Sequence, residues 1–375
     1  LKNIKRSNIS GDSLMQLAVE AAEIDADSRS EIILGLPGES LKSHFQTIDT
    51  VIDARFNHVN TYQLMMLPGT EIDSPETRQE FDMKTRFRIL PRCFGYYDVL
   101  GKQIVAAEIE EVCVSTNTLS FEDYVKCRKM HLLIHIYHND GLFNTALEFI
   151  KFLKLSPYGW LELLFEEKMI GAVKELFEKY EQDTRQELWL NRDELVQNIQ
   201  KPGVVDSYIS GDLGYNLLFV HKAIAMSRFI PDLKKFAKIT LEKLLSRNEI
   251  NSVENLDFLN DALNYDACCI SNIFENIEKT PTADMKYDIQ KFISEKNKKL
   301  EELRFKKPTK ISFAMNESQQ DILRRSLKLY GSTDLGVSRI LTKVFVKKIL
   351  RTGSTPEGSQ KPDIQIKNSA DWPYC

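Results

Sequence analysis

Six cysteines could in principle do redox or metal chemistry: Cys93, Cys113, Cys127, Cys268, Cys269 and Cys375. Zinc and iron–sulfur loops need thiols two or three residues apart, and no two of these have that spacing. His131, His135 and His138 fall at i, i+4 and i+7 of a predicted helix, so they share one face. That is metal-ligand spacing, yet no Glu follows the first His as in HExxH and no distant further ligand is evident. The reading is a partly exposed stripe of histidines. Glu108, Glu110 and Glu111 lie near Arg86, Arg88 and Arg92 and could line a polar pocket. Surface charge with some ion pairs is the plainer account. Cys93 reads as a buried, inert thiol. The stretch SEIILGLPGES (30–40) ends an apolar run in Gly35-Leu36-Pro37-Gly38, and VNTYQLMMLPGTEI repeats the device at Pro68-Gly69.

Those turns need elements to hold them. SEIILGL reads as a short strand, and SLKSHFQTIDTVIDARF as a helix with Leu41, Phe45, Ile48, Val51 and Ile52 on one face. HVNTYQLMML reads as a second strand. A helix over GDSLMQLAVEAAEI precedes them, with Leu14, Leu17, Ala18, Ala21 and Ala22 at helical spacing. Helix, strand, helix, strand with short connections predicts βαβ units around a parallel sheet. The continuous apolar runs predict strands covered on both faces. In such sheets ligands sit beyond the carboxyl ends of the strands. Gly35 and Gly38 would allow close backbone approach there, and a helix N-terminus after each turn would favour an anion or polar group. The alternative is that Pro-Gly simply turns the chain.

The fold class expected is α/β, then mostly α. Residues 1–118 would form the α/β part, with 75–103 irregular and QIVAAEIEEVCVST one more strand. Residues 119–304 would be an all-helical domain whose aromatics (Trp160, Phe165, Phe177, Tyr180) are core. Residues 305–351 would be a strand followed by two helices, and the tail 352–375 would be disordered. The stretch RILTKVFVKKILR (Arg339 to Arg351) reads as a basic helix with a solvated face rather than a membrane or nucleic-acid contact. A net charge of −4 gives no global pull toward nucleic acid or membrane. No apolar run reaches the ~18 residues of a spanning helix, so a soluble cytoplasmic protein is expected.

LKNIKRSNIS, SEIILGLPGES, NTYQLMMLPGTEI and FRILPRCFG, in that order, resemble the second half of the radical S-adenosylmethionine (radical SAM) barrel. The likeness is to the group with an N-terminal cobalamin-binding domain; it is strong over about residues 1–115 and weaker into the helical region beginning SFEDYVKCRKMHLL. It implies half of a partial (β/α)6 barrel. In that family a CxxxCxxC loop holds a 4Fe–4S cluster, whose open iron binds SAM and cleaves it to a 5′-deoxyadenosyl radical. Carried over by motif, Arg6 would contact the carboxylate of the SAM methionine. Glu31 would accept hydrogen bonds from the ribose hydroxyls. Leu64 would lie against adenine, and Gly35, Pro37 and Gly38 would shape the turn. The CxxxCxxC loop and any cobalamin motif are absent from the sequence. With Leu1 opening the chain, the expectation is a piece of a longer enzyme that is inactive alone, its substrate a small molecule or unknown. The alternatives are a non-catalytic scaffold that kept half a barrel, or a phosphate-binding α/β enzyme.

Overall fold

A computed structural model describes residues 28–295 and 299–355, together with Ser13, Gln16, Leu17 and Glu20. Arg6, most of the first helix read from the sequence and residues 356–375 lie outside these.

The α/β part is built as its pattern dictates. β1 (Arg29–Leu34), α1 (Leu41–Asp53) and β2 (His58–Gln63) form one βαβ unit, the strands pairing in parallel from Arg29 opposite His58 to Leu34 opposite Gln63. Ser40 starts α1 with a capping box: its hydroxyl accepts from the Ser43 amide, and the Ser43 hydroxyl accepts from the Ser40 amide. Register partners in a parallel pair share a face. Ile32, Leu34, Val59 and Thr61 point into the core, while Glu31 and Tyr62 point to solvent on the other face. The apolar runs predicted strands covered on both faces; one face is covered, while the other is open at Glu31 and Tyr62 and closed at Leu64. Among the described residues no closed barrel forms, and β1 pairs only with β2.

Residues 75–103, expected to be irregular, hold a short helix α2 (Pro75–Glu80) and the long strand β3 (Lys84–Val99). β3 pairs antiparallel with β4 (Lys102–Ser115) through Leu100 and Gly101, both left-handed at φ 52° and 76°. Two consecutive positive-φ residues are the type I′ geometry that matches strand twist. Leu occupies one of those positions instead of the usual Asn or Gly, which hid the hairpin in the sequence.

The helical body follows. It runs α3 (Phe121–Tyr137), α4 (Asn144–Phe152), α5 (Pro157–Glu166), α6 (Gly171–Gln186), α7 (Arg192–Ile199), α8 (Val204–Ser210), α9 (Leu217–Arg228), α10 (Ile230–Arg247) and α11 (Val253–Ile270). In its core Tyr137 stacks on Phe143 and meets Trp160 edge-on, while Phe149 and Phe258 pack at a tilt. Each such buried side chain stabilises by roughly 1.5–3 kcal/mol. The same apolar cluster takes in Ile32, Ile48, Ile52 and Val59, so the βαβ unit and the helices share a core.

The helical reading to residue 304 breaks at β5 (Thr282–Tyr287). Short helices α12 (Ile289–Ser294) and α13 (Leu300–Leu303) lead to β6 (Arg304–Ala314), then α14 (Glu317–Tyr330) and α15 (Asp334–Lys343). The basic helix expected to run to Arg351 ends at Lys343. A 3-10 turn (Val346–Ile349) follows, and the Arg351 guanidinium is buried, donating to the carbonyls of Ser271 and Asn276. The tail read as disordered from Thr352 opens as β7 (Thr352–Ser354), the third strand of an antiparallel sheet in the order β5-β6-β7.

Candidate functional site

The two Pro-Gly segments are both tight turns of one type. The Glu39 amide donates to the Leu36 carbonyl at 3.0 Å and the Thr70 amide to the Leu67 carbonyl at 3.2 Å. Gly38 and Gly69, at the third position of each turn, have φ +81° and +85°. Pro at the second position and a left-handed Gly at the third define a type II turn. The two turns then diverge. The first leads straight into α1, whereas the second leads to a 3-10 segment (Glu71–Asp73) and the six-residue α2, so no sizeable helix N-terminus follows it.

Gly35 lies at the carboxyl end of β1 with φ +94°, and its amide donates to Glu39 Oε2 at 2.6 Å. A Cβ built there would stand 3.1 Å from the Cys113 carbonyl oxygen. The space that Gly35 leaves is therefore taken by β4 rather than by open solvent. β4 is held there because β2 runs on past its end: the Cys113 amide donates to the Leu64 carbonyl, and the Met66 amide to the Glu111 carbonyl, at 2.9 and 2.8 Å. The hairpin thus seals the carboxyl ends of the parallel pair. Pro37 is buried and Gly38 is exposed.

Of the residues assigned by resemblance, Glu31 and Leu64 share one face of the parallel pair, with Asn60 and Tyr62 between them. Register sets this, Glu31 lying opposite Asn60 and Ile33 opposite Tyr62. Glu31 is exposed, and the Tyr62 hydroxyl donates to its Oε1 at 3.4 Å. Leu64 is buried among Met66, Met83 and Cys113. The face offers an exposed carboxylate and phenol, with Leu64 buried at its far end; the carboxylate can accept hydrogen bonds from hydroxyl groups. Sequence reasoning missed Tyr62 and Asn60, which the alternation of β2 alone would have placed with Leu64.

Of the charged residues singled out, Glu108 and Arg92 are exposed, whereas Arg88, Glu110 and Glu111 join partly or fully buried ion pairs on the hairpin. Arg88 donates to Glu110, to Glu187 at 2.9 Å and to the Gln63 side-chain carbonyl at 3.1 Å. Arg78 binds Asp73 at 2.5 Å and Glu111 at 2.8 Å. Burial would raise the Glu111 carboxyl, but hydrogen bonds from Arg78 and Thr85 outweigh it and hold the group below its ordinary value. The plainer account placed these charges on the surface, yet Glu110 and Arg88 are enclosed because α6 brings Glu187 across to them. Arg86 lies over the Phe121 ring, 4.1 Å from its centroid. Cys93, read as buried, is half-buried.

The histidine stripe departs furthest from its reading. His131, His135 and His138 are all buried, because α1, β2 and α9 cover that face of α3. No metal site results: among the described residues no three His, Cys, Asp or Glu side chains converge as a metal would need. Nor do the described cysteines gather as an iron–sulfur cluster needs, since no three potential ligands converge among the described residues.

No family model matches the chain. It is similar to the 2-(S-pantetheinyl)-carbapenam-3-carboxylate methyltransferase of Streptantibioticus cattleyicolor, at 28% identity over 141 residues. It is also similar to the cobalamin-dependent radical SAM methyltransferase TokK of Streptomyces tokunonensis, at 27% over 141 residues. Each match takes in 37% of this chain and 20% of the relative. The chain thus matches about a fifth of the length of these relatives. The two matches support a relationship to the cobalamin-type radical SAM methyltransferases.

Proposed function

We propose that this chain is part of a radical SAM enzyme that cleaves SAM at a 4Fe–4S cluster, with cobalamin as a second cofactor, and transfers a methyl group. The cluster and cobalamin would be held by parts of the enzyme other than the residues described above. The open face of β1 and β2 would carry the adenosine half of SAM, with Glu31 accepting from the ribose, Leu64 beneath the base and the turn at Gly35, Pro37 and Gly38 closing the end. Arg6, from its motif, would meet the carboxylate of the methionine half. The observation that carries the reading is the solvent-facing Glu31 and Tyr62 on the same face as Leu64. Both relatives are named as methyltransferases, which supports methyl transfer over other radical outcomes. The substrate would be a small molecule.

The test is to obtain the coding sequence around this chain, express the complete reading frame anaerobically, and assay iron, sulfide and release of 5′-deoxyadenosine from SAM. Cluster-dependent cleavage that Glu31→Ala weakens, chiefly through the KM for SAM, is expected. A complete frame with no CxxxCxxC loop and no cleavage would overturn the proposal and leave a non-catalytic scaffold.

A further inference from the structure

Behind the covered face of β1 and β2 lies a line of polar side chains that the reading above does not use. On α3, Tyr124, Arg128, His131, His135 and His138 succeed one another at spacings of four and three, so all five share a stripe. All are buried, and each keeps a polar atom with no protein hydrogen-bond partner: Tyr124 Oη, Arg128 Nε, His131 Nδ1, both ring nitrogens of His135, and His138 Nδ1. An apolar stripe would be the default at such positions, and burying unsatisfied polar atoms costs about 1–3 kcal/mol each.

One end of the line is fully connected. The Gly35 amide donates to Glu39 Oε2 at 2.6 Å, and the other oxygen of that carboxylate accepts from His44 Nδ1 at 2.9 Å. His44 Nε2 faces His131 Nε2 at 2.8 Å. Two ring nitrogens this close share one proton, which either ring can hold. The other end reaches solvent. The His135 ring lies 6.0 Å from that of His58, which is 17% exposed and sits 3.5 Å from Asp140, itself paired with Lys222. Between these ends, His131 Nδ1 and the two nitrogens of His135 are buried one helical turn apart without protein partners. Buried polar atoms so placed are normally bridged by internal water.

We infer that these groups form a hydrated proton relay from solvent at His58, through His135 and bound water, to Glu39 beneath the Gly35 turn. A proton entering at His131 Nδ1 releases the shared Nε2 proton to His44 Nε2, and His44 releases its Nδ1 proton to Glu39 Oε1. One proton enters and one leaves, with no change of oxidation state. Burial first, then the neighbouring charges, keeps His131 and His135 well below the ordinary histidine range, so at neutral pH each ring is neutral and able both to accept and to donate. The charged and titratable groups facing them are His44 on α1, Arg128 on α3, His58 on β2, Lys222 on α9, and Asp140. The relay needs no SAM, cluster or cobalamin, so its failure would leave the methyl-transfer proposal untouched.

The experiment is solvent exchange of the ring N–H protons of His44 and His131, read by nitrogen-edited NMR on the histidine-labelled chain. Exchange faster than that of the Leu132 and Leu133 amides, equally buried on α3, is expected. His135→Phe, which blocks the middle of the line, should slow it by about tenfold or more. His58→Gln at the mouth, which keeps a polar side chain beside Asp140, should slow it in the same direction. Ring exchange in the wild-type chain as slow as those amides overturns the relay, as does exchange that His58→Gln leaves unchanged.

Discussion

Lys222→Met gives the sharpest test of how the buried charges are held. Lys222 is fully enclosed, and its ammonium pairs with Asp140, which is itself buried. Burial would raise the Asp140 carboxyl, but the Lys222 ammonium and the His58 ring hold it well below the ordinary carboxylate range. Methionine keeps most of the lysine stem and removes the charge, so packing changes little while Asp140 loses its main partner. Breaking a buried pair from one side costs about 3–5 kcal/mol, a large part of the ~5–15 kcal/mol that holds a domain folded. Asp140→Asn alone should cost a similar amount by stranding the ammonium. Asn is the right replacement because residue 140 has φ +62°, a left-handed value that Asn tolerates and Ala does not. The double variant strands no charge and should be less destabilised than the sum of the singles by about 2–3 kcal/mol. Urea unfolding followed by circular dichroism, at neutral pH, measures all four corners of the cycle. A depressed carboxyl contributes stability that is present above its unfolded value, near 3.9, and is lost as pH falls through its folded one. The coupling should therefore fade only in acid. A Lys222→Met chain within about 0.5 kcal/mol of wild type, or additive singles, would refute the argument.

Asp266 should behave with the opposite sign. Burial, against hydrogen bonds from Thr145 and Ala146, lifts its carboxyl to about 7. The folded state then holds a proton that the unfolded chain has lost, so stability should fall as pH rises from about 4 to about 7 and level off above. Asp266→Asn should be less stable overall, yet lack that decline, in urea unfolding repeated across the pH range. Gly35→Ala should destabilise by about 2 kcal/mol, since φ +94° is strained for any side chain and the new methyl meets the Cys113 carbonyl at 3.1 Å. A midpoint within error of wild type would mean that β4 moves aside at no cost.

The sequence by itself determined whatever depends on neighbours a few residues away. Ser40 and Ser43 cap α1 through contacts three residues apart, and Pro37-Gly38 and Pro68-Gly69 set their turns through their own backbone preferences. Short apolar runs and helical apolar periods placed β1, α1, β2 and most of the helical body for the same reason. Glu31 and Leu64 share a face because strand period and register leave no other choice. Only the tertiary structure decided what each face meets. The three histidines read the same whether exposed or buried; α1 covers His131 with His44, 87 residues before it, and β2 and α9 cover His135. Glu110 and Arg88 are enclosed because Glu187, 99 residues after Arg88, closes over them. The Gly35 notch, which with Gly38 suggested room for a ligand, is filled by the carbonyl of Cys113 on a distant strand. Burial and partner choice are properties of segments that meet after long loops close, and local periodicity carries no record of which segments those are.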